Sequence, residues 1–221
     1  MLKDNEILVR KVYELINIEE MEIFKNTGIG IIEERGMEIR DVAIGDKVVW
    51  VGIPAGDKVI VPEYLFEKVP DDLEDKIGVF GGVGAFVIQA VRESGLTFGE
   101  KVVVLGHGVL KDLTSQVVTL FGIHSLELDF VCKGDVEIDG VFLCTGGEAN
   151  FNLIENLLRN KATVTVLTEG HIDLPLKLLQ EKKLKLIFLG QPKVERKDIY
   201  YPKAYLRWGI KEDIRLYLKL L

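Results

Sequence analysis

The chain has 221 residues, of which 48% are hydrophobic and 29% charged, and its formal net charge is −7. That length and balance specify a folded chain with a sizeable core, one large domain or two small ones, and exclude a disordered polymer. An acidic balance without a basic block excludes an extended nucleic-acid surface, and no apolar run is long enough to span a bilayer.

Residues up to about 69 read as β-rich, with short strands at 6–12, 28–34, 47–52 and 58–61 separated by Gly36, Gly45-Asp46 and Pro54-Ala55-Gly56-Asp57. Pro70-Asp71-Asp72 opens a helical stretch that runs to Ser94 and ends at Gly95. Its glycine-rich middle, 78–85, predicts two helices joined at a break. Next come a strand at 101–105, a helix at 110–121 closed by Gly122, and a strand at 124–128. Beyond these lie a strand at 140–144, a helix at 150–159, a strand at 162–167, a helix at 174–181 and a strand at 184–189. Alternation of this kind calls for a parallel sheet with helices on both faces. Ligands of such sheets bind at the carboxyl ends of the strands, which places Gly106, Asp129, Thr145 and Thr168 along one rim.

The turn Gly106-His107-Gly108-Val109-Leu110-Lys111 leaves the strand Val102-Val103-Val104-Leu105 and opens the following helix. In a dinucleotide turn G-x-G-x-x-G, the first glycine makes the tight exit and the second admits backbone close to a pyrophosphate. The third lets helix pack closely on strand. Gly106 and Gly108 supply the first two functions, while Lys111 stands where the third belongs. Lys111 admits three readings: a surface side chain snorkelling from the helix start, a partner for a cofactor phosphate, or the mark of a site without its ligand. Asp129, about 20 residues past the turn, is the expected acceptor for adenosine ribose hydroxyls, which favours NAD over NADP; the alternative is that it merely opens a loop.

Met1-Leu2-Lys3-Asp4-Asn5-Glu6 has no apolar signal core, and a cytoplasmic protein is expected. Cys132 and Cys144 are too far apart for a cysteine-built zinc lobe, and Cys144 reads as a buried core thiol. His107, His124 and His171 have no neighbour at ligand spacing, so no metal site is expected.

Several phrases in order resemble the medium-chain dehydrogenases/reductases, the zinc alcohol dehydrogenase and quinone oxidoreductase superfamily. Gly30-Ile31-Ile32-Glu33-Glu34-Arg35-Gly36 is similar to its G-x-V-x-x-x-G hairpin, and Ile44-Gly45-Asp46-Lys47-Val48 to its G-D-R-V turn. Val69-Pro70-Asp71-Asp72-Leu73 resembles the entry to its cofactor domain, and Gly95-Leu96-Thr97-Phe98-Gly99-Glu100-Lys101-Val102 the run before its glycine turn. The resemblance implies an α/β fold: a truncated GroES-like partial barrel over 1–70, then a Rossmann-type domain over 71–221. It also marks an abbreviated member. Asn17 stands where zinc-dependent relatives place their first ligand cysteine, and Lys25-Asn26-Thr27, without a histidine, falls near their G-H-E segment. Between Asp129 and Gly140 there is room for only a token element.

The resemblance implies a zinc-independent NAD(P)-dependent oxidoreductase acting on a small carbonyl, alcohol or alkene. Gly106, Gly108, Val109, Leu110 and Lys111 would lie at the pyrophosphate, Asp129 at the ribose, and Thr145 and Gly146 beside the cofactor. Asn17 and Glu20 are the candidate polarising groups, with a reading as exposed turn residues beside that one. The alternative is a non-catalytic homologue, a regulatory or structural subunit whose cofactor pocket is occluded. The expected partners are a dinucleotide, a small-molecule substrate and a second copy of the chain pairing through the 184–189 edge, with neither nucleic acid nor membrane.

Overall fold

The computed structural model describes residues 2–15, 26–54, 56–134, 136–145, 153–168, 176–189 and 208–221. Packing divides them into two compact units, one holding the residues through Phe86 together with the C-terminal helix, the other those within Val87–Gly190. The family resemblance implies a boundary at residue 70, with the C-terminal helix in the second domain.

In the first unit five strands, β1 (Glu6–Glu14), β2 (Gly28–Arg35), β3 (Lys47–Trp50), β4 (Lys58–Pro62) and β5 (Phe66–Lys68), form a sheet in the order β4-β1-β2-β3-β5. All neighbours are antiparallel. The alternation in β1 sends Ile7 and Val9 into the core beside Ile29, Ile32, Val61 and Phe66, all fully or almost fully buried. Burial of each such side chain contributes about 1.5–3 kcal/mol. Strand β5 is not among the expected elements, since three residues after the 3-10 turn Glu63–Leu65 are too few to show a period.

The glycine-rich stretch is two helices, α1 (Asp75–Gly78) and α2 (Gly81–Ser94), as expected. The glycines of α2 permit close approach: a Cβ at Gly84 would overlap the ring of Tyr217, and one at Gly82 would come 3.1 Å from Val51 Cγ2. Tyr217 belongs to the C-terminal helix, and burial raises its phenol to about 12.

In the second unit β6 (Lys101–Leu105), β7 (His124–Leu126), β8 (Ile138–Leu143), β9 (Leu158–Val166) and β10 (Lys185–Phe188) form a wholly parallel sheet. Its order is β10-β9-β8-β6-β7. Between the strands run α3 (Gly108–Leu120), α4 (Leu128–Gly134) and α5 (Leu176–Glu181). Val103, Leu105, Val141, Leu143, Val164 and Val166 pack with Val131 of α4. The alternate side chains face the other way, where Cys144 reaches Thr114 of α3, so the sheet carries helices on both faces. Helix α3 closes as expected at Gly122, whose φ is +75°. The Gly122 N–H donates to Thr119 O at 2.9 Å and the Ile123 N–H to Val118 O at 3.0 Å, the double bond of a Schellman motif.

Two expectations for this unit are corrected. The helix expected over 150–159 is absent from its described part: residues 153–157 run through turns, and β9 already starts at Leu158. The Lys182 ammonium decides this locally. It donates to the carbonyls of Glu155, Asn156 and Leu158 at 3.0, 2.9 and 2.6 Å, satisfying oxygens that a continuing helix would otherwise bond. The strand expected over 124–128 ends at Leu126, because Leu128 begins α4 and the Val131 N–H bonds back to Glu127 O at 3.1 Å.

The C-terminal helix α6 (Ile210–Leu220) packs on β5 and the 3-10 turn of the first unit. Ile214, Tyr217 and Leu218 form its buried stripe. Lys211 Nζ lies 2.8 Å from Asp41 Oδ2 and 5.0 Å from the centre of the Phe66 ring, and Arg215 donates to Glu67 Oε2 at 2.8 Å.

The expected Gly45-Asp46 turn is present, with Gly45 at φ +93° and Asp46 accepting from Ala43 N–H at 2.8 Å and Lys68 Nζ at 2.7 Å. Burial disfavours the Asp46 carboxylate, but the Lys68 bond, the Ala43 N–H and the Lys68 charge together outweigh it and hold the group below its ordinary 3.8. A depressed carboxyl stabilises the fold above its unfolded value and loses that contribution as pH falls through the folded one. Asp46→Asn should therefore be less stable than the wild type in urea unfolding at pH 7, and the gap should close progressively below about pH 4.

Candidate functional site: the glycine turn at the switch point of the parallel sheet

The central strand β6 carries the candidate site at its carboxyl end. Val102, Val103, Val104 and Leu105 are buried on both faces, as a strand flanked by β7 and β8 must be. After β6 the chain passes through α3 to β7 on one side, then through α4 to β8 on the other, so the order reverses between β6 and β8. In open α/β sheets such a reversal leaves the ligand crevice.

At that reversal Gly106 has φ +126°, and a Cβ there would stand 2.9 Å from Thr145 Oγ1 and 3.1 Å from Thr145 N. Both conformation and space demand glycine. Gly108 has φ +79°, and between them His107 is extended and starts α3. No side chain caps that helix end, so the amides of its first turn, Val109 and Leu110 among them, have no side-chain acceptor. Gly106, His107, Gly108 and Val109 are exposed, whereas Leu110 is fully buried and anchors the turn. The thirteen residues of α3 direct the positive end of their dipole at this loop, a geometry suited to an anion.

Lys111 does not obstruct the packing of α3. The sheet-facing stripe is Leu110, Leu113, Thr114, Val117 and Val118. One residue on from Leu110 is about 100° around the helix, so Lys111 lies on the flank. Its side chain is 29% exposed, with Nζ 3.9 Å from Asp112 Oδ1. The close approach that a third glycine would provide is made by Leu110 and Thr114.

Of the other expected residues, Thr145 follows β8 and stands against Gly106. Asp129 is not at a strand end but in the first turn of α4, its side chain 89% exposed and 3.8 Å from Lys133 Nζ. The acid directly after β7 is Glu127, exposed at the same rim. In the sequence, alternation along an expected strand two residues too long sends Glu127 in a different direction and sets it aside; the helical spacing of Leu128 and Val131 is the signal that could have found it. Asn17, Glu20 and Gly146 lie outside the described residues, as does His171. His107 and His124 are exposed, and Cys144 is buried as expected. Among the described residues no group of three His, Cys, Asp or Glu side chains is placed to hold a metal ion.

No family model matches the chain. A D-guloside 3-dehydrogenase of Shigella flexneri is 31% identical over 100 residues, 44% of this chain and 28% of that protein. The chain thus matches well under half the length of this curated relative. Solved structures are similar over nearly the whole chain. A protein of Sinorhizobium meliloti described as a zinc-binding dehydrogenase and bound to NADP superposes with a TM-score of 0.73 at 16% identity, covering 99% of this chain and 82% of its own. Galactitol-1-phosphate dehydrogenase of Escherichia coli gives 0.75 at 14% identity, covering 100% and 82%. The chain has the fold of the zinc-type alcohol dehydrogenases, the medium-chain dehydrogenase/reductase architecture: an antiparallel β unit with a parallel Rossmann-type sheet.

Gly106→Ala should cost about 1–3 kcal/mol in urea unfolding, from the positive φ and the Thr145 contact. A Gly45→Ala control, where φ is also positive but no atom lies within 4 Å, separates conformational strain from crowding and should cost less.

Proposed function

We propose that the chain binds a nicotinamide dinucleotide at the carboxyl rim of its parallel sheet and serves as an NAD(P)-dependent oxidoreductase. The observation that carries this reading is the glycine turn at the switch point, two positive-φ glycines delivering an uncapped helix N-terminus. Such a turn fits a pyrophosphate because its backbone donors converge where a side chain would block approach. Gly106 keeps the β6 exit against Thr145, and Gly108 admits the phosphates to the amides of Val109 and Leu110. Lys111, at the flank of the same turn, can add a cation to the pyrophosphate by giving up its distant Asp112 contact.

Ribose recognition goes to Glu127 in preference to Asp129, since Glu127 directly follows β7. A carboxylate there accepts both ribose hydroxyls and repels a 2′-phosphate, which favours NAD over NADP. When bound, the nicotinamide supplies hydride transfer, and the protein's share is to hold and orient it against a small alcohol, carbonyl or alkene. This activity is proposed without a zinc ion. A homodimer through the β10 edge belongs to the same reading, because that strand is unpaired on one side among the described residues and Phe188 stands 64% exposed on it.

A second reading has its own support. Helix α4 leads from β7 into β8, so among the described residues the first half of the nucleotide fold has two strands and no third. A chain shortened in this way suits a non-catalytic homologue acting as a regulatory or structural subunit.

Calorimetric titration with NADH, NADPH and ADP distinguishes the two. The cofactor reading expects NADH to bind, Glu127→Ala to weaken NADH about tenfold or more while leaving NADPH less affected, and Asp129→Ala to change little. Heat from none of the three nucleotides would leave the subunit reading standing. Equal losses for both dinucleotides in Glu127→Ala would remove that residue from the ribose.

A further inference from the structure

Beneath the glycine turn lies a buried polar bridge that neither the glycines nor the strand ends account for. Thr114 is wholly buried on the sheet-facing stripe of α3, and its hydroxyl donates to Leu110 O at 2.7 Å. Thr114 Oγ1 in turn lies 3.5 Å from Cys144 Sγ, placed to accept the thiol proton. Cys144 is also wholly buried and directly follows β8, with its N–H donating to Leu105 O of β6 at 2.9 Å. A Cβ on Gly106 would stand 3.2 Å from Cys144 Cβ, and the next residue, Thr145, makes the closest approach to that glycine. The connections close a ring: the end of β6 to Cys144, Cys144 to Thr114, Thr114 to the carbonyl of the first helical turn, and that turn back to Gly106.

We propose that Thr114, its hydroxyl held by Cys144 at the end of β8, is a positioning residue that sets the tilt of the first turn of α3 and so aims its backbone donors across the crevice. A hydroxyl bonding its i−4 carbonyl bends a helix, because the carbonyl is drawn off the axis toward the side chain. Here the side chain points at the sheet, so the bend leans the Leu110 carbonyl toward β8. The peptide planes of the same turn tilt with it, and the N–H groups of Val109 and Leu110 change direction. An apolar side chain of the same shape would fill the space yet leave the turn free to straighten. Both groups are sealed from water, and a buried hydrogen bond with no competing solvent holds one geometry. Lys111 stands one residue past this carbonyl, so the same tilt sets where its flank side chain leaves the helix.

The inference rests on the dinucleotide reading of the turn, and its test separates the two. Thr114→Val keeps the volume and removes the hydroxyl; Thr114→Ser keeps the hydroxyl and removes a methyl. Backbone amide resonances of Gly106, Gly108, Val109 and Leu110 are compared in the nucleotide-free proteins. NADH and NADPH affinities are then measured by nucleotide fluorescence, with thermal midpoints as the stability control. The valine variant should displace those four resonances and weaken dinucleotide binding about tenfold, roughly the effect of one misdirected hydrogen bond. The serine variant should keep wild-type resonances and affinity even though it lowers the thermal midpoint more. A further variant, Cys144→Ala, should move the same resonances as Thr114→Val.

Unmoved turn resonances in Thr114→Val would overturn the inference, as would affinities that follow the thermal midpoint through both variants instead of the hydroxyl. Wild-type protein that binds neither nucleotide would sink the dinucleotide reading alone, since the nucleotide-free resonances would still decide whether the bridge sets the turn.

Discussion

The constraint on which the second unit depends is that a parallel sheet must be covered on both faces. A strand such as β6 offers no solvent-facing side, so its residues from Val102 to Leu105 are aliphatic and its polar business is deferred to its ends. Everything chemically specific in this unit is accordingly found at the rims. At the carboxyl rim are the glycine turn, Glu127 and Thr145. At the opposite rim Asp139 accepts the Lys101 N–H at 2.9 Å and is paired with Arg159 at 2.8 Å, which fastens β6, β8 and β9 at their starts. One rim is tied shut by charged side chains, and the other keeps backbone donors unspent.

The first unit solves a different problem. Its sheet is antiparallel, and α6 completes its cover by a stripe of three large side chains flanked by Lys211 and Arg215. Those pairs are partly exposed and individually worth little. The apolar stripe carries the energy, and the charges fix the angle at which the helix lies. The glycines of α2 belong to the same design, for Tyr217 can be buried only where the opposing helix has no side chain. Three glycines near one helix start sacrifice about 1 kcal/mol each of helix propensity, offset by the area that the close contact removes from water.

Much of this is legible in the sequence, and the exceptions have physical causes. Strands β1 to β4 announce themselves by alternation and by turn residues such as Gly45-Asp46. The strand, turn, helix and Schellman glycine from Lys101 to Gly122 are legible because each step has its own residue chemistry. The helix expected over 150–159 fails because the spacing of Ile154, Leu157 and Leu158 reads alike in a turn and a helix, while the deciding partner, Lys182, is remote in sequence. Glu127 is set aside for a related reason: alternation is a poor guide in a strand three residues long, whose end is set by the helix after it. The role of Lys111 can be posed from sequence but not resolved, since only the helix face occupied by Leu110 and Thr114 shows that the lysine stands aside. The Thr114 and Cys144 contact joins positions thirty apart and leaves no local trace.

Among the described residues no strand pairs on the outer side of β7, and this has a consequence for how the protein behaves in a crowded solution. Removing a strand from a sheet exposes the edge of its neighbour, and exposed edges recruit other chains. Among the described residues the open neighbour is β7, only three residues long and followed at once by α4, so few backbone groups are left to pair. The opposite edge, β10, is longer, and Lys185 stands at its start with Nζ bonded to Ser94 O at 3.2 Å. A lysine at the mouth of an edge strand discourages indiscriminate stacking. Of the two edges that the described residues leave open, the β7 side thus presents the smaller adhesive surface, and the stickiness of the sheet is directional.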